Sequence, residues 1–171
     1  MLSKEIEKSL NDQMNFEMYS ANIYMGMAAY MDSLSLAGFS NWLKVQYQEE
    51  IFHFTKFYDF INQRGGRVTL QAMAAPPESW DSPKAAFEDA LAHEQIVTGR
   101  INDILVQATE TRDYATSQFL QWFVAEQVEE EDNANSVIQK LELVDGDPGG
   151  MFALDQELGT RVIGTEASGG V

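Results

Sequence analysis

The run Glu50-Ile51-Phe52-His53 sets a carboxylate and an imidazole three residues apart. On a helix they occupy adjacent ridges and can grip a single metal ion. Alone, that spacing is a weak signal, found in many ordinary helices. It gains weight from Glu17, Glu94 and Glu130, each of which interrupts an apolar helical stripe. Glu17 lies seven residues after Leu10 and seven before Tyr24, and Glu94 stands seven from both Phe87 and Ile101. The series Phe39, Leu43, Gln46, Glu50, His53, Phe57, Phe60 keeps a three-four step, as does Leu120, Phe123, Gln127, Glu130, Ala134, Val137, Leu141. One such glutamate is ordinarily a stripe-edge residue with its head in water. Carboxylates near the middle of every long helix instead converge at one level once the helices pack antiparallel.

Unpaired carboxylates in a low-dielectric core repel one another and lose hydration, at a cost of several kcal/mol per charge. No lysine or arginine holds a matching seam position, so protonation or multivalent cations must compensate, and cations answer better. The chain has no cysteine, which excludes disulfides, thiolate-held clusters, zinc ribbons and thiol catalysis. Any ion is therefore held by oxygen and imidazole nitrogen, a donor set that suits Fe, Mn or Zn better than Ca or Mg. A net charge of −16 disfavours nucleic acid and anionic membranes and attracts cations, although acidity of this kind is first of all a solubility device. Tyr24, one stripe step from Glu17, reads as a partner of a ligand, as an electron donor, or as a packed core tyrosine. Trp122 reads as packing. His93 points about 100° away from Glu94 and is expected in solvent.

The elements that must position these groups are helical. A length of 171 residues suits one domain, taken as residues 1–163 with a mobile tail over 164–171. The pattern predicts an all-α protein, with strand-like alternation only near Val68-Thr69-Leu70. Helices are expected from about Ser3 to Asp32, from Ala37 to the Gly65-Gly66 stop, from Pro83, and from Tyr114 to Val144. A short fifth helix opens at Asp147-Pro148 and shows Met151, Leu154, Leu158 and Val162 on one face, which argues for association. Short turns near Ser33 and Arg112 join antiparallel neighbours. The stretch 67–82 spans about 50 Å when extended, more than the roughly 40 Å of the second helix, so it serves as a crossover between parallel helices. The start of the chain lacks the features of an export signal, and no apolar run approaches the roughly 20 residues that span a bilayer, so a soluble cytoplasmic protein is expected.

Asn15-Phe16-Glu17-Met18-Tyr19, Glu49-Glu50-Ile51-Phe52-His53, His93-Glu94 and Glu126-Gln127-Val128-Glu129-Glu130 together resemble the non-haem bacterial ferritins. The likeness runs from about residue 1 to the end of the fifth helix. It implies a ferritin-like four-helix bundle with one long crossover loop, acting as a ferroxidase that stores iron. Glu17, Glu50 and His53 would hold a first iron. Glu50 would bridge to a second, held by Glu94 and Glu130, with Gln127 close to the oxidant, dioxygen or hydrogen peroxide. Glu49, Glu126 and Glu129 would form a third iron site, or else a plain solvated acidic face. The family also implies a shell of twenty-four subunits with Fe(III) mineral in its cavity. Bacterioferritin, the nearest rival, would show a methionine haem ligand near position 52 and a second Glu-x-x-His. This sequence has Phe52 and Gln127-x-x-Glu130, so no haem is expected. Readings from other classes are a metal-buffering bundle without oxidase activity and a di-iron oxygenase of organic substrates.

Overall fold

The computed structural model describes residues 2–164, which form α1 (Lys4–Ser33), α2 (Ala37–Gln63), α3 (Pro83–Glu110), α4 (Tyr114–Leu143) and α5 (Pro148–Leu158). Among the described residues there is no strand, and no helix is long and apolar enough to cross a membrane. Side-chain oxygens of Ser3, Ser82, Asp113 and Asp147 accept from backbone N–H groups in the first turns of α1, α3, α4 and α5. Gly65, at φ +72°, takes the left-handed conformation that ends α2 at low steric cost. The tail expected over 164–171 lies, from residue 165 onward, outside the described residues.

Cross-helix contacts set the topology. On α3, His93, Glu94 and Arg100 meet Ser20, Tyr24 and Gln13 of α1, so these helices run antiparallel. On α4, Glu130, Phe123 and Thr116 meet Gln46, His53 and Arg64 of α2, again antiparallel. Since α1 and α2 form a hairpin, α3 runs parallel to α2. The 67–82 strap supplies the crossover, leaving Arg67 beside Asn11 at one end of α1 and reaching Trp80 beside Tyr30 at the other.

The strand-like Val68-Thr69-Leu70 has a specific outcome. Asn11 donates to the Arg67 carbonyl at 3.0 Å and accepts from Thr69 N–H at 2.7 Å. Asn15 repeats the pattern one turn later on the Thr69 carbonyl and Gln71 N–H, both at 2.8 Å. Two asparagine amides on one helical ridge thus take the place of a neighbouring strand.

The fifth helix corrects an expectation. Leu154 and Leu158 are buried against the bundle of their own chain, while Val162 lies beyond the helix end and is 79% exposed. The helical part of that stripe, Met151, Leu154 and Leu158, packs on its own chain and does not by itself argue for association. The N-terminus of α2 has no local side-chain cap; Asp155 of α5 provides one, its Oδ1 accepting from Gly38 N–H at 2.7 Å and Phe39 N–H at 3.1 Å. Close approach requires Gly38, since a Cβ there would stand 1.6 Å from the Asp155 carbonyl oxygen.

Candidate metal centre

The buried apolar residues fall into two clusters, one around Tyr24, Phe39 and Phe87, the other around Leu10, Phe57 and Phe123. Between them lies a polar layer containing Glu17, Gln46, Glu50, His53, Glu94, Gln127 and Glu130, all buried. Each of α1, α2, α3 and α4 contributes a glutamate, because the interrupted stripes face inward at the same level. Among the described residues, no lysine or arginine forms an ion pair with Glu17, Glu50, Glu94 or Glu130.

Ligand atoms of Glu17, Glu50 and His53 lie within 4.8 Å of one another, and those of His53, Glu126 and Glu130 do likewise. His53 Nδ1 sits 3.5 Å from Glu50 Oε2, and its Nε2 faces Glu126 Oε1 at 3.9 Å. Glu94 belongs to neither group. One of its oxygens accepts from the Tyr24 hydroxyl and the other from Gln127 Nε2 at 3.0 Å. Glu17 Oε2, Glu50 Oε2, Gln46 Oε1 and His53 Nε2 are buried without a hydrogen-bond partner. Buried polar atoms left unpaired are costly, and several aimed into one layer fit bound cations.

The electrostatics of the layer agree with that reading. Burial, reinforced by the Glu50 charge, raises Glu17 to about 8 and Glu94 to about 7. Burial and then Glu94 push Glu130 well above its ordinary value. For His53, burial alone would lower the pKa, but Glu50, Glu126 and Glu17 together hold it well above 6.5. Without metal, the layer therefore retains protons near neutral pH. Divalent cations bound there would replace those protons and deliver more charge than protons can.

The ferritin-like domain family matches residues 7–144. The chain belongs to the ferritin family. It is 42% identical over 166 residues to the bacterial non-haem ferritin of Staphylococcus aureus, covering 97% of this chain and all of that protein. With a probable bacterial non-haem ferritin-like protein of Haemophilus influenzae it shares 38% identity over 159 residues, 93% of this chain and 96% of the other. Among solved structures, the open pore ferritin of the archaeon Archaeoglobus fulgidus superposes with a TM-score of 0.94 at 49% identity, covering 95% of this chain and 100% of that one.

The ferritin bundle brings Glu17, Glu50, His53, Glu94, Gln127, Glu130 and Tyr24 into one layer. Glu126 approaches it from the side. Glu49 and Glu129 stay out: Glu49 pairs with Arg161, and Glu129 is exposed in an outer groove with Leu91 and Gln95 of α3. His93 corrects the expectation of solvent exposure. It is buried, its Nε2 lies 2.7 Å from Ser20 Oγ, and its ring stacks on Phe16. A helical wheel drawn for α3 alone misses this because α1 packs over that flank as well.

Sequence reasoning missed Gln13 and placed Gln46 on the seam without a role, although both hold carboxylates. Gln13 Nε2 donates to Glu17 Oε1 at 2.8 Å and is itself oriented by Arg100, whose Nε donates to Gln13 Oε1 at 2.8 Å. Gln46 Nε2 donates to Glu130 Oε2 at 2.7 Å and to Glu50 Oε1 at 3.4 Å. The signal was there: a glutamine stands four residues before the seam glutamate on both α1 and α2. Amides at that spacing lie one turn below a carboxylate and donate to it while bringing no charge.

Proposed function

We propose that the polar layer at the waist of this ferritin binds two Fe(II) ions as substrate and oxidises them, and that the Fe(III) is then stored. The observation that carries the proposal is the convergence of buried carboxylate and imidazole atoms, several of them unpartnered, without a lysine or arginine among the described residues to neutralise them. Glu17, Glu50 and His53 take the first ion. Glu50 bridges to the second, which Glu94 and Glu130 hold with Gln127 beside the oxidant. Carboxylate donors favour the harder, more highly charged ion and so lower the potential of the pair, while the single imidazole leaves coordination positions open. Each iron gives up one electron. Dioxygen taking both electrons, with two protons, becomes hydrogen peroxide; hydrogen peroxide taking both, again with two protons, becomes two waters. The raised pKa values of Glu17 and Glu94 make these carboxyls a source of protons as metal enters. Family membership supports assembly into a twenty-four-subunit shell whose cavity receives the Fe(III), in the cytoplasm.

The test is anaerobic Fe(II) loading followed by rapid mixing with oxygenated buffer. Unmodified protein shows fast oxidation and accumulates soluble Fe(III) far beyond two ions per chain. Glu50→Ala loses the fast phase while keeping its helix content. An unchanged fast phase in that variant overturns the assignment of Glu50, and tight Fe(II) binding without oxygen consumption identifies a metal buffer instead.

A further inference from the structure

Arg161 follows α5 and turns back onto α2. Its Nη2 donates to Glu49 Oε2 at 2.6 Å and its Nη1 to the Trp42 carbonyl at 3.2 Å, and its guanidinium carbon stands 4.1 Å from the centroid of the Trp42 ring. The segment carrying it is tied down separately. Asn41 Nδ2 donates to the carbonyls of Leu158, Gly159 and Arg161 at 3.4, 3.3 and 3.0 Å. The Gly164 N–H reaches the second Glu49 oxygen at 3.4 Å, so both oxygens of that carboxylate accept from the chain's own donors. The two side chains are only 17% and 13% exposed, Arg161 and Glu49 respectively. At that depth the stacked guanidinium supplies, through a charge-assisted bond, the counter-charge that a largely buried carboxylate needs.

No three-ligand cluster among the described residues includes Glu49. Glu126 turns toward His53, and Glu129 lies exposed on the groove between α3 and α4. We propose that Arg161 is a resident cation that commits Glu49 to the protein, so that this chain holds iron at the two positions around Glu50 and at no third position on Glu49. The proposal rests on the reading of the waist as a metal centre and narrows it. It also assigns a task to the segment after α5. Withdrawing the guanidinium leaves a largely buried carboxylate without its counter-ion, and a dication then becomes its best partner.

Crystals of the unmodified protein, Arg161→Met and Arg161→Gln, soaked anaerobically in Fe(II), separate the possibilities through anomalous scattering at the iron edge. The methionine variant keeps an unbranched side chain over Trp42, and the glutamine variant keeps a hydrogen-bond donor. The expected map of the unmodified protein shows iron beside Glu50 and His53 and none on Glu49. Each variant gains a peak bonded to Glu49, at the roughly 2 Å typical of metal–carboxylate bonds. Calorimetric titration of the metal-free proteins with Zn(II) gains one equivalent per chain in both variants. Iron on Glu49 in the unmodified protein, or no added iron there in either variant, overturns the proposal. A Glu49 peak confined to the variants, with nothing at Glu50 and His53, upholds the commitment of Glu49 to Arg161 and defeats the reading of the waist instead.

Discussion

Replacing Gly38 by alanine tests how α5 is held. The new Cβ would stand 1.6 Å from the Asp155 carbonyl oxygen and 2.5 Å from its carbonyl carbon, both backbone atoms, so no rotamer relieves the overlap. Restoring ordinary contact moves α5 by about 2 Å, given the optimal separations of non-bonded atoms. Leu154 and Leu158, 4% and 5% exposed, then lose part of a burial worth roughly 1.5–3 kcal/mol each. The hydrogen bonds from Gly38 and Phe39 N–H to Asp155 are lost as well, at a cost of about 1 kcal/mol. Alanine's better helix propensity returns about 1 kcal/mol. Because the displacement only partly uncovers the leucines, the net destabilisation of the docked helix is about 2–4 kcal/mol. Hydrogen exchange resolved by segment is the assay. The α5 amides should exchange roughly 30- to 700-fold faster while the centres of α1 to α4 keep their protection. Gly99→Ala is the control: its Cβ meets nothing within 4 Å, so the same chemical change there should be neutral or stabilising. Unchanged protection of α5 in Gly38→Ala would refute the packing.

Other outcomes follow from the polar layer. Folded Glu17 keeps its proton to about 8 and Glu94 to about 7, whereas unfolded glutamates release theirs near 4.5. His53, held above 6.5, acts in the same sense. The stability these groups contribute at low pH is therefore lost as pH climbs from about 5 to 8 in metal-free protein, by several kcal/mol. Urea midpoints at the two ends of that range measure it, and a flat profile would mean the carboxyls do not share a buried layer. Zn(II) binding near pH 7 should release protons, detected as a dependence of the calorimetric heat on buffer ionisation enthalpy; no such dependence would mean the carboxyls are already ionised. Tyr24→Phe strips a donor from a buried Glu94 oxygen and should lower metal-free stability by about 1–3 kcal/mol, an estimate that an unchanged urea midpoint contradicts. Gln46→Leu removes the amide shared by Glu130 and Glu50 and should weaken Zn(II) binding roughly 10- to 100-fold in competition titrations. Equal affinity would show that Gln46 only fills space.

Helix boundaries were readable because their signals are local: Ser3, Ser82, Asp113 and Asp147 cap with their own side chains, and Gly65 stops α2 by its backbone freedom. The seam glutamates were readable because periodicity reports which face is buried. It does not report what covers that face. The periodicity of α5 showed an apolar stripe yet gave no hint that Gly38 leaves a place for it on α2, a contact between residues 117 apart. His93 was misjudged for the same reason. Arg161 lies beyond any helix, where no period exists to interpret, so its pairing with Glu49 left no trace in the pattern. The strap was legible as a crossover but its fastening was not: Asn11 and Asn15 satisfy an extended segment from a helix, which the alternation at Val68-Thr69-Leu70 does not reveal.

The division of donors between hairpins bears on how the molecule matures. Glu17, Glu50 and His53 all lie on α1 and α2, so the first of the two clusters is complete within the N-terminal half, before the strap has delivered anything. The second position of the proposed centre needs Glu94 from α3 and Glu130 from α4 and exists only after the second half has docked. On the proposed function, the first position would be assembled from one hairpin alone, and the second only on closure of the bundle. Chemistry that needs both then waits for the finished tertiary structure.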